Sequence, residues 1–260
     1  MELGIQGRQA IVTAASKGLG KACAMSLAAE GAQVTIMART LKDLEQTAGE
    51  IGSATGSQVQ VVAGDFNVDE DRARLFDACP EPDILVNNPG VRQVPSDYRT
   101  IDREQWLQWL NDHFLSSISM IQQVAPGMCE RRFGRIVNMS VSFIKFPQSG
   151  FAHSHAARLA LSGAVAAMVR DLVPHNVTIN TVCPGLFDTD ALRTNLHGHA
   201  KRANVTYEEM VADRVQGCPA GRFADPAECG DLVAYLCSAQ AGFMTGQNII
   251  NDGGVYQGLF

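Results

Sequence analysis

The chain has 260 residues, which suits one large α/β domain or two small ones. Apolar residues make up 46% and charged residues 18%, a composition that excludes a largely disordered chain. The formal net charge of −6, without a Lys/Arg run, gives no indication of a nucleic-acid partner. No apolar run approaches the ~18 residues needed to cross a bilayer, so we expect no membrane segment.

Cysteine usage indicates a reducing compartment. The seven cysteines are scattered and form no Cys-x-x-Cys pair, which is typical of free thiols rather than of a disulfide framework. Residues 1–8 lack the basic-then-apolar order of a secretory signal, so we expect a cytoplasmic protein. Two His-x-His pairs, His153/His155 and His197/His199, have no evident third ligand, and we predict no metal site.

Short apolar runs alternate with helix-like stretches along the chain. The predicted strands lie at 10–12, 34–37, 59–62, 84–86, 135–139, 177–180 and 248–250. The predicted helices lie at 21–30, 41–52, 103–132, 151–173, 205–216 and 226–238, and a polar, charged segment occupies 69–78. This alternation indicates βαβ units, and continuous Val- and Ile-rich runs indicate strands covered on both faces. We therefore predict one α/β domain over 1–260, a doubly wound Rossmann-like parallel sheet with helices on both faces.

A glycine-rich turn separates the first predicted strand from the first predicted helix. It reads Thr13-Ala14-Ala15-Ser16-Lys17-Gly18-Leu19-Gly20. Backbone N–H groups in such a turn approach a pyrophosphate, and the helix N-terminus adds the positive end of its dipole. A tight strand–helix turn without a ligand is the alternative, but the position directly after a strand favours a nucleotide site.

In these motifs the chain resembles the short-chain dehydrogenase/reductase superfamily, classical type. The turn matches the family's Thr-Gly-x-x-x-Gly-x-Gly motif, except that Ala14 replaces the first glycine. Further matches follow in order: Asp65, Asn87-Asn88-Pro89-Gly90, Asn111, Cys183-Pro184-Gly185, Thr189, Pro219-Ala220-Gly221-Arg222, Thr245-Gly246-Gln247 and Asp252-Gly253-Gly254. The resemblance implies a dinucleotide bound by Thr13, Ser16, Lys17, Gly18, Leu19, Gly20, Arg39, Asp65, Phe66, Asn88, Gly90, Arg158, Pro184, Gly185 and Thr189.

The charges near the second predicted strand favour NADP(H) over NAD(H). Rossmann-type proteins that prefer NAD usually carry an acidic residue after this strand, and residues 37–40 contain none. The planar guanidinium of Arg39 suits an adenine ring and a 2′-phosphate. The resemblance places Lys17 close to the same phosphate. Either cation alone also fits a solvated surface charge, but the two together predict NADP(H).

The resemblance breaks at the catalytic group, which in the family comprises an Asn, a Ser and a Tyr-x-x-x-Lys pair on one helix. Alignment puts Ser154 at the Tyr position, Arg158 at the Lys position and Val141 at the Ser position, between Ser140 and Ser142. None of the four tyrosines precedes a lysine by four residues. The candidate catalytic residues are therefore Asn111, Ser140, Ser154, His155 and Arg158.

The roles of these replacements stay open at this point. Arg158 does not titrate, but it donates to ribose hydroxyls and stabilises an anion. Ser154 is a poor proton donor unless it is activated, and the alternative is a small side chain filling the space of a lost tyrosine. His155, at i,i+3 from Arg158, is either a group that titrates near neutral pH or a surface or interface histidine.

Three functions are compatible with this sequence. The first is an NADP(H)-dependent oxidoreductase acting on an alcohol or ketone, 3-oxoacyl compounds included. The second is a non-redox enzyme on the same scaffold, such as a lyase, hydratase or dehalogenase. The third is an NADP-binding protein with weak or no turnover. The retained nucleotide motif favours the first and third.

The remaining expectations concern the substrate and self-association. Residues 186–217 match the family's variable substrate lid, and the basic run 196–202 is either a contact for acidic substrates or a solvated loop. The expected pocket wall comprises Val94, Phe143, Phe146 and Phe187. The resemblance implies a homotetramer paired through 103–132, 151–173 and the C-terminal strand region. The second helix carries apolar residues for contacts: Leu159, Leu161, Ala164, Val165, Met168 and Val169.

Overall fold

The computed structural model describes residues 2–90 and 97–259. In this part of the chain the strands form a parallel sheet in the order β3-β2-β1-β4-β5-β6-β7. They are β1 (Gln9–Thr13), β2 (Gln33–Ala38), β3 (Gln60–Ala63), β4 (Ile84–Asn87), β5 (Gly134–Met139), β6 (Val177–Pro184) and β7 (Asn248–Asn251). The strand order reverses between β1 and β4, which is where open α/β sheets bind ligands. The predicted α/β fold is confirmed.

Helices cover both faces of this sheet. They are α1 (Gly18–Ala29), α2 (Leu41–Thr55), α3 (Asp69–Ala78), α4 (Arg103–Leu110), α5 (Ser116–Glu130), α6 (Ala152–Leu172), α7 (Asp190–Ala203), α8 (Tyr207–Gln216) and α9 (Pro226–Leu236). Two begin with reciprocal capping boxes, in which Asp102 pairs with Gln105 and Thr206 with Glu209. Such caps satisfy the first backbone N–H groups of a helix and define where it begins.

Two apolar cores lie on opposite faces of the sheet. Ala10 and Val12 of β1 pack into one core with α1, α2 and α9, whereas Ile11 between them packs into the other with α3, α5 and α6. Alternate residues of a strand point to opposite faces, so a strand covered on both faces is apolar throughout. This explains why continuous apolar runs marked the strands in the sequence.

The predicted helix over 103–132 is not a single α-helix. A π-helical turn, Asn111–Leu115, separates α4 from α5, and the N–H of Ser116 donates to the carbonyl of Asn111 five residues earlier. The charged segment 69–78 forms α3, which has only Leu75 buried among its residues and therefore a weak apolar pattern. A π-turn inside a helix frequently marks a functional position.

The solvated-loop interpretation of 196–202 is wrong. These residues lie within α7, where Leu196 and Ala200 are buried. The apolar surface expected on α6 is also partly wrong, since Leu161 and Val165 belong to the core while Leu159 stays exposed. Successive residues of a helix are 100° apart around its axis, so Leu161 and Val165, four residues apart, lie on the same face of α6, and that face packs on the sheet.

Candidate functional site

The glycine-rich turn between β1 and α1 is folded too tightly for side chains at its end. A Cβ on Gly20 would lie 2.4 Å from the carbonyl oxygen of Ala14 and 2.7 Å from Nδ2 of Asn88. Gly18 has a φ of +56° and Ala14 a φ of +46°, both in the left-handed region. Ala14 thus adopts the conformation that glycine takes most readily, at the position where the family motif has glycine.

Hydrogen bonds fix this turn to the end of β4. The N–H of Asn88 donates to Oγ1 of Thr13 at 2.8 Å, and the Thr13 hydroxyl lies 3.1 Å from the carbonyl oxygen of Asn88. Nδ2 of Asn88 is 3.4 Å from the carbonyl oxygen of Ala14. Thr13 is fully buried, so its side chain braces the turn from below rather than lining the cleft. Gly90 follows directly, and a Cβ there would lie 3.9 Å from Cβ of Ala14.

Two cationic side chains, Arg39 after β2 and Lys17 in the glycine-rich turn, lie at the outer end of the cleft. Arg39 is exposed and makes no ion pair among the described residues. Nζ of Lys17 lies 2.9 Å from Oδ2 of Asp43, and this hydrogen bond raises the pKa of Lys17. The carbonyl of Ser16 accepts from the hydroxyl of Thr47 at 2.7 Å, which holds the turn against α2. Arg39 is therefore the available anion contact here, and Lys17 is shared with an acid.

After β3, Asp65 and Phe66 have different surroundings. Oδ1 of Asp65 accepts from the N–H of Asn67 at 3.0 Å, which shapes the loop and leaves Oδ2 for a ligand. The ring of Phe66 is buried in the core beneath the sheet, and its carbonyl accepts from Arg72 at 2.6 Å. The side chain of Phe66 is therefore part of the core.

The opposite wall of the cleft follows β6. A Cβ on Gly185 would lie 2.6 Å from Cβ of Asp252, and the N–H of Gly185 donates to the carbonyl of Asn251 at 2.9 Å. Thr189 caps α7 by accepting from the N–H of Leu192 at 3.2 Å. Its Cγ2 would lie 3.5 Å from a Cβ on Gly18. The segment after β6 therefore reaches the glycine-rich turn, and the cofactor motifs meet at one edge of the sheet.

Helix α6 brings Ser154 and Arg158 together. Nε of Arg158 donates to Oγ of Ser154 at 3.2 Å, one helical turn away. Loss of hydration lowers the pKa of Arg158 to about 10, still well above neutrality, so the guanidinium stays charged. Neighbouring Cys183 on β6 is buried, which raises the pKa of its thiol to about 12 and keeps it neutral. The charge of Arg158 thus meets no acidic partner among the described residues.

Asn111 and the serines after β5 complete this part of the site. Asn111 begins the π-helical turn, is half-buried, and its side-chain amide has no hydrogen bond in the described part of the chain. Oγ of Ser140 is buried without a partner there. Ser142 is buried, and Val141 between them has the extended backbone φ of −147°. An unpartnered buried hydroxyl at a strand end is available to a ligand.

His155 faces the loop that precedes α6. Its Nε2 accepts a hydrogen bond from the N–H of Gln148 at 3.2 Å. Burial lowers the pKa of His155, and the positive charge of Arg158 lowers it further. The neutral ring of His155 accepts this hydrogen bond and so holds the loop in place. His153 is buried as well, and its ring meets that of Trp109 edge to face, with 4.5 Å between the ring centroids.

An aromatic cluster forms one wall beside α6. Phe143 lies 5.4 Å from Phe146 and 5.8 Å from Phe151 between ring centroids, and Tyr256 stacks on Phe146 at 5.8 Å. The expectation for Phe187 is wrong, because its ring is buried in the core to which α1 and α9 also contribute. Val94 lies outside the described residues.

Two features of the site escaped the sequence analysis. Nδ2 of Asn87 donates to Oδ1 of Asn138 at 3.0 Å, and both side chains are fully buried beneath the strand ends. Asn138 is a polar residue within a largely apolar strand, and this pattern could have indicated its buried hydrogen bond. Lys145, on the loop after β5, is the second feature: its positive charge, like that of Arg158, opposes the burial that raises the pKa of the Cys183 thiol. Loops carry function through their placement, which a sequence pattern does not reveal.

The described residues contain no helix long and apolar enough for a membrane span. Within the same ranges, no three His, Cys, Asp or Glu side chains are grouped so that they would hold a metal ion.

Comparisons with known proteins agree with this arrangement. The family model described as enoyl-(acyl carrier protein) reductase matches residues 13–256. The chain is 31% identical over 268 aligned positions to the uncharacterized oxidoreductase YvaG of Bacillus subtilis (strain 168), covering 100% of both chains. It is 30% identical over 254 positions to the 3-oxoacyl-[acyl-carrier-protein] reductase FabG of Vibrio cholerae, covering 98% of this chain and 99% of that protein. The crystal structure of L-sorbose reductase from Gluconobacter frateurii, complexed with NADPH and L-sorbose, superposes with a TM-score of 0.93 at 25% identity and covers 100% of both chains.

Proposed function

Because the chain belongs to the short-chain dehydrogenase/reductase family, we propose that it is an NADP(H)-dependent oxidoreductase that interconverts a ketone and an alcohol. One observation carries this proposal: the hydrogen bond from Arg158 Nε to Ser154 Oγ at the inner end of an intact nucleotide cleft. The pair occupies the helix positions at which the family has lysine and tyrosine. It gives the site a hydroxyl and a fixed positive charge side by side.

The residues of the cleft fit NADP(H). Gly20 leaves no room for a Cβ where the turn meets α1, so backbone N–H groups are free to face a pyrophosphate. Arg39 is exposed and unpaired among the described residues at the position for a 2′-phosphate. The relatives support the same cofactor, since L-sorbose reductase was solved with NADPH bound. When bound, NADPH supplies the two electrons of the reduction as hydride.

The chain's own residues then handle the substrate oxygen. Arg158 occupies an acceptor position of the Ser154 hydroxyl, so the hydroxyl proton is free to point at the carbonyl oxygen of a ketone. The guanidinium charge stabilises the negative charge that develops on both oxygens. Asn111, with its free amide, and Ser140, with its unpartnered hydroxyl, are further donors toward the same oxygen. Arg158 does not titrate, so solvent must return the proton to Ser154.

A consumption assay tests the proposal. NADPH oxidation is followed by the loss of the reduced cofactor's absorbance, with a panel of small ketones, sugars and 3-oxoacyl esters. We expect turnover with at least one class, lost in Arg158→Ala and reduced in Ser154→Ala. Exposed Arg103→Ala is the matched control and keeps full turnover. NADPH binding without consumption contradicts the proposal and supports a cofactor-binding protein, whereas absence of binding supports a non-redox enzyme.

We further propose that the protein is a homotetramer in the cytoplasm, with α5 and α6 as its main contact surface. An apolar groove between these helices is lined by Ile121, Ala125, Pro126 and Met168, and Leu159 is 45% exposed on α6. All seven cysteines are free thiols, as expected in a reducing compartment. Light scattering at micromolar concentration tests the assembly. We expect Leu159→Glu to lower the measured mass, and a monomeric wild type contradicts the proposal.

A further inference from the structure

The helix that carries Ser154 begins without a capping side chain. Helix α6 starts at Ala152, and the residue at its N-cap position, Phe151, makes no side-chain hydrogen bond there. The N–H groups in the first turn of a helix have no acceptor within the helix, so an uncapped first turn frays easily. Ser154 is the third residue of α6 and lies in this turn. The position of its hydroxyl therefore depends on contacts from outside the helix.

His153, immediately before Ser154, joins the start of α6 to α4. Its ring meets that of Trp109 at an angle of 66°, with 4.5 Å between the ring centroids. Trp109 also stacks on His113 of the π-helical turn, with 4.3 Å between the centroids. His153 and Trp109 are each only 5% exposed, and His113 is 1% exposed. Rings in stacked and edge-to-face arrangements attract one another beyond the burial of their surface. Trp109 thus links α4 and the π-helical turn to the residue before Ser154.

His155, directly after Ser154, joins the same helical turn to the loop after β5. Its Nε2 accepts a hydrogen bond from the N–H of Gln148 at 3.2 Å. Burial lowers the pKa of His155, which keeps the ring neutral and this nitrogen able to accept. The loop has support of its own, because residues 142–144 form a 3₁₀ turn that packs against β6 and α6. Ser154 therefore lies between two buried histidines that contact two different elements.

We propose that His153 and His155 are positioning residues for Ser154, and that His153 acts through Trp109. Their contacts keep the first turn of α6 helical, so that Oγ of Ser154 stays 3.2 Å from Nε of Arg158. This distance sets how strongly the guanidinium stabilises negative charge at position 154, because the Coulomb energy of two charges falls as their separation grows. The inference rests on the proposed function only in giving Ser154 a part in the reaction.

A thiol at position 154 tests this geometry without turnover. Ser154→Cys places a sulfur beside Nε of Arg158, and a neighbouring cation lowers the pKa of a thiol. Alkylation of residue 154 by iodoacetamide, followed by mass spectrometry of its peptide, is measured against pH. Because the thiolate is the nucleophile, the midpoint of this rate profile reports the pKa of the thiol, whereas access to the site changes only the height of the profile. Adding Arg158→Gln gives the reference without the guanidinium, and we expect its midpoint to be at least one pH unit higher.

The histidines are then changed in the Ser154→Cys background. We expect His153→Leu and His155→Ala each to raise the midpoint by about half a pH unit or more, toward the reference. Two matched variants keep the contacts and the midpoint: His153→Phe retains a ring against Trp109, and His155→Gln retains an acceptor for the loop. Trp106→Leu, at a half-buried position on α4, is a further control and leaves the midpoint unchanged.

The same substitutions in the protein with Ser154 separate positioning from binding. We expect His153→Leu and His155→Ala to lower kcat by about ten- to hundredfold, because a displaced group loses its alignment with the substrate. KM and the affinity for NADPH stay within about twofold, since neither histidine is expected to contact substrate or cofactor. His153→Phe and His155→Gln restore most of kcat.

The outcomes separate this inference from the proposed function. A midpoint that stays at the parent value in His153→Leu or in His155→Ala overturns the role of that histidine. An equal rise in the matched variants, or no rise with Arg158→Gln, overturns the whole inference. Trp109→Leu removes the first contact from the α4 side and takes the place of His153→Leu if that variant does not fold. Raised midpoints in a protein that consumes no NADPH uphold the inference while the proposed function fails, and unchanged midpoints in an active protein have the opposite meaning.

Discussion

Arg158 donates a hydrogen bond from Nε to Oγ of Ser154, 3.2 Å away and one turn earlier on α6. Residues at i and i+4 share a helix face, so the pair keeps the spacing of the family's Tyr-x-x-x-Lys motif with different chemistry. An alcohol hydroxyl has a far higher pKa than a phenol, and a guanidinium cannot pass on a proton at neutral pH. The geometry for proton transfer is retained, whereas the acid is weaker.

This comparison predicts a gain of ketone reduction in the triple variant Val141→Ser, Ser154→Tyr, Arg158→Lys. General acid–base catalysis is typically worth ~10²–10⁴-fold in rate, and the variant restores both the acid and the hydroxyl that holds the carbonyl. The measurement is NADPH consumption with small ketones and 3-oxoacyl esters. The matched control places phenylalanine at position 154 in the same background, which fills the same volume without an acid and gives no gain. Wild-type turnover of about 1–10³ s⁻¹ with such ketones contradicts this reading of a weakened site.

The ion pair between Lys17 and Asp43, 2.9 Å apart, leads to a second prediction, on cofactor choice. Arg39→Ala weakens NADPH binding by about tenfold or more, because charge-assisted hydrogen bonds to phosphate are lost. Asp43→Asn strengthens NADPH binding severalfold, because it releases Lys17 and removes a negative charge near the 2′-phosphate. NADH binding is the internal control and changes little in both variants. Fluorescence titration measures both affinities, and equal affinity of the wild type for the two cofactors refutes the assignment.

Ala14 carries the third prediction, since its φ of +46° is costly for a residue with a Cβ. Ala14→Gly should raise the free energy of unfolding by about 0.5–1 kcal/mol. This value is the left-handed strain that glycine relieves, minus the extra conformational entropy that glycine gives the unfolded chain. Urea denaturation of the apo protein measures it. Ala15→Gly is the matched control, because Ala15 is fully buried with an ordinary φ and its substitution lowers stability. A loss of stability in Ala14→Gly contradicts the strain argument.

The strands and the nucleotide turn could be predicted because their causes are local. A strand covered on both faces must be apolar throughout, as Ala10, Ile11 and Val12 are. A turn that folds back on its own backbone must end in glycine, as at Gly20, where a Cβ would meet the carbonyl of Ala14. The π-helical turn at Asn111 left no trace in the sequence pattern, because a shift of backbone hydrogen bonds by one residue changes no composition. Helix α3 was missed since it buries only Leu75 and its other residues are polar or partly exposed.

The catalytic end of the cleft could be predicted only in part. The spacing of Ser154 and Arg158 placed them on one helix face, and the structure confirms that they meet. The contact of His155 with the N–H of Gln148 depends on how the preceding loop folds back, which no helical period specifies. The placement of Lys145 depends on the same loop, in which Phe143 and Gln148 contact the start of α6.

The last prediction concerns the pH dependence of stability, to which the buried His155 should contribute near neutrality. Burial, and then the charge of Arg158, lower the pKa of His155 below its ordinary value of 6.5, and burial also lowers that of His153. Above pH 6.5 both the folded and the unfolded chain carry neutral imidazoles, and stability is at its full value. As the pH falls below 6.5, the unfolded chain takes up protons that the folded chain does not, so the free energy of unfolding decreases until the lowered folded pKa is passed.

Urea denaturation between pH 8 and pH 5 measures this slope. His155→Gln keeps an acceptor for the N–H of Gln148 but has no proton to gain, so it should flatten the slope, whereas exposed His175→Gln should leave it as in the wild type. A slope that survives in His155→Gln assigns the effect to His153 or to other groups.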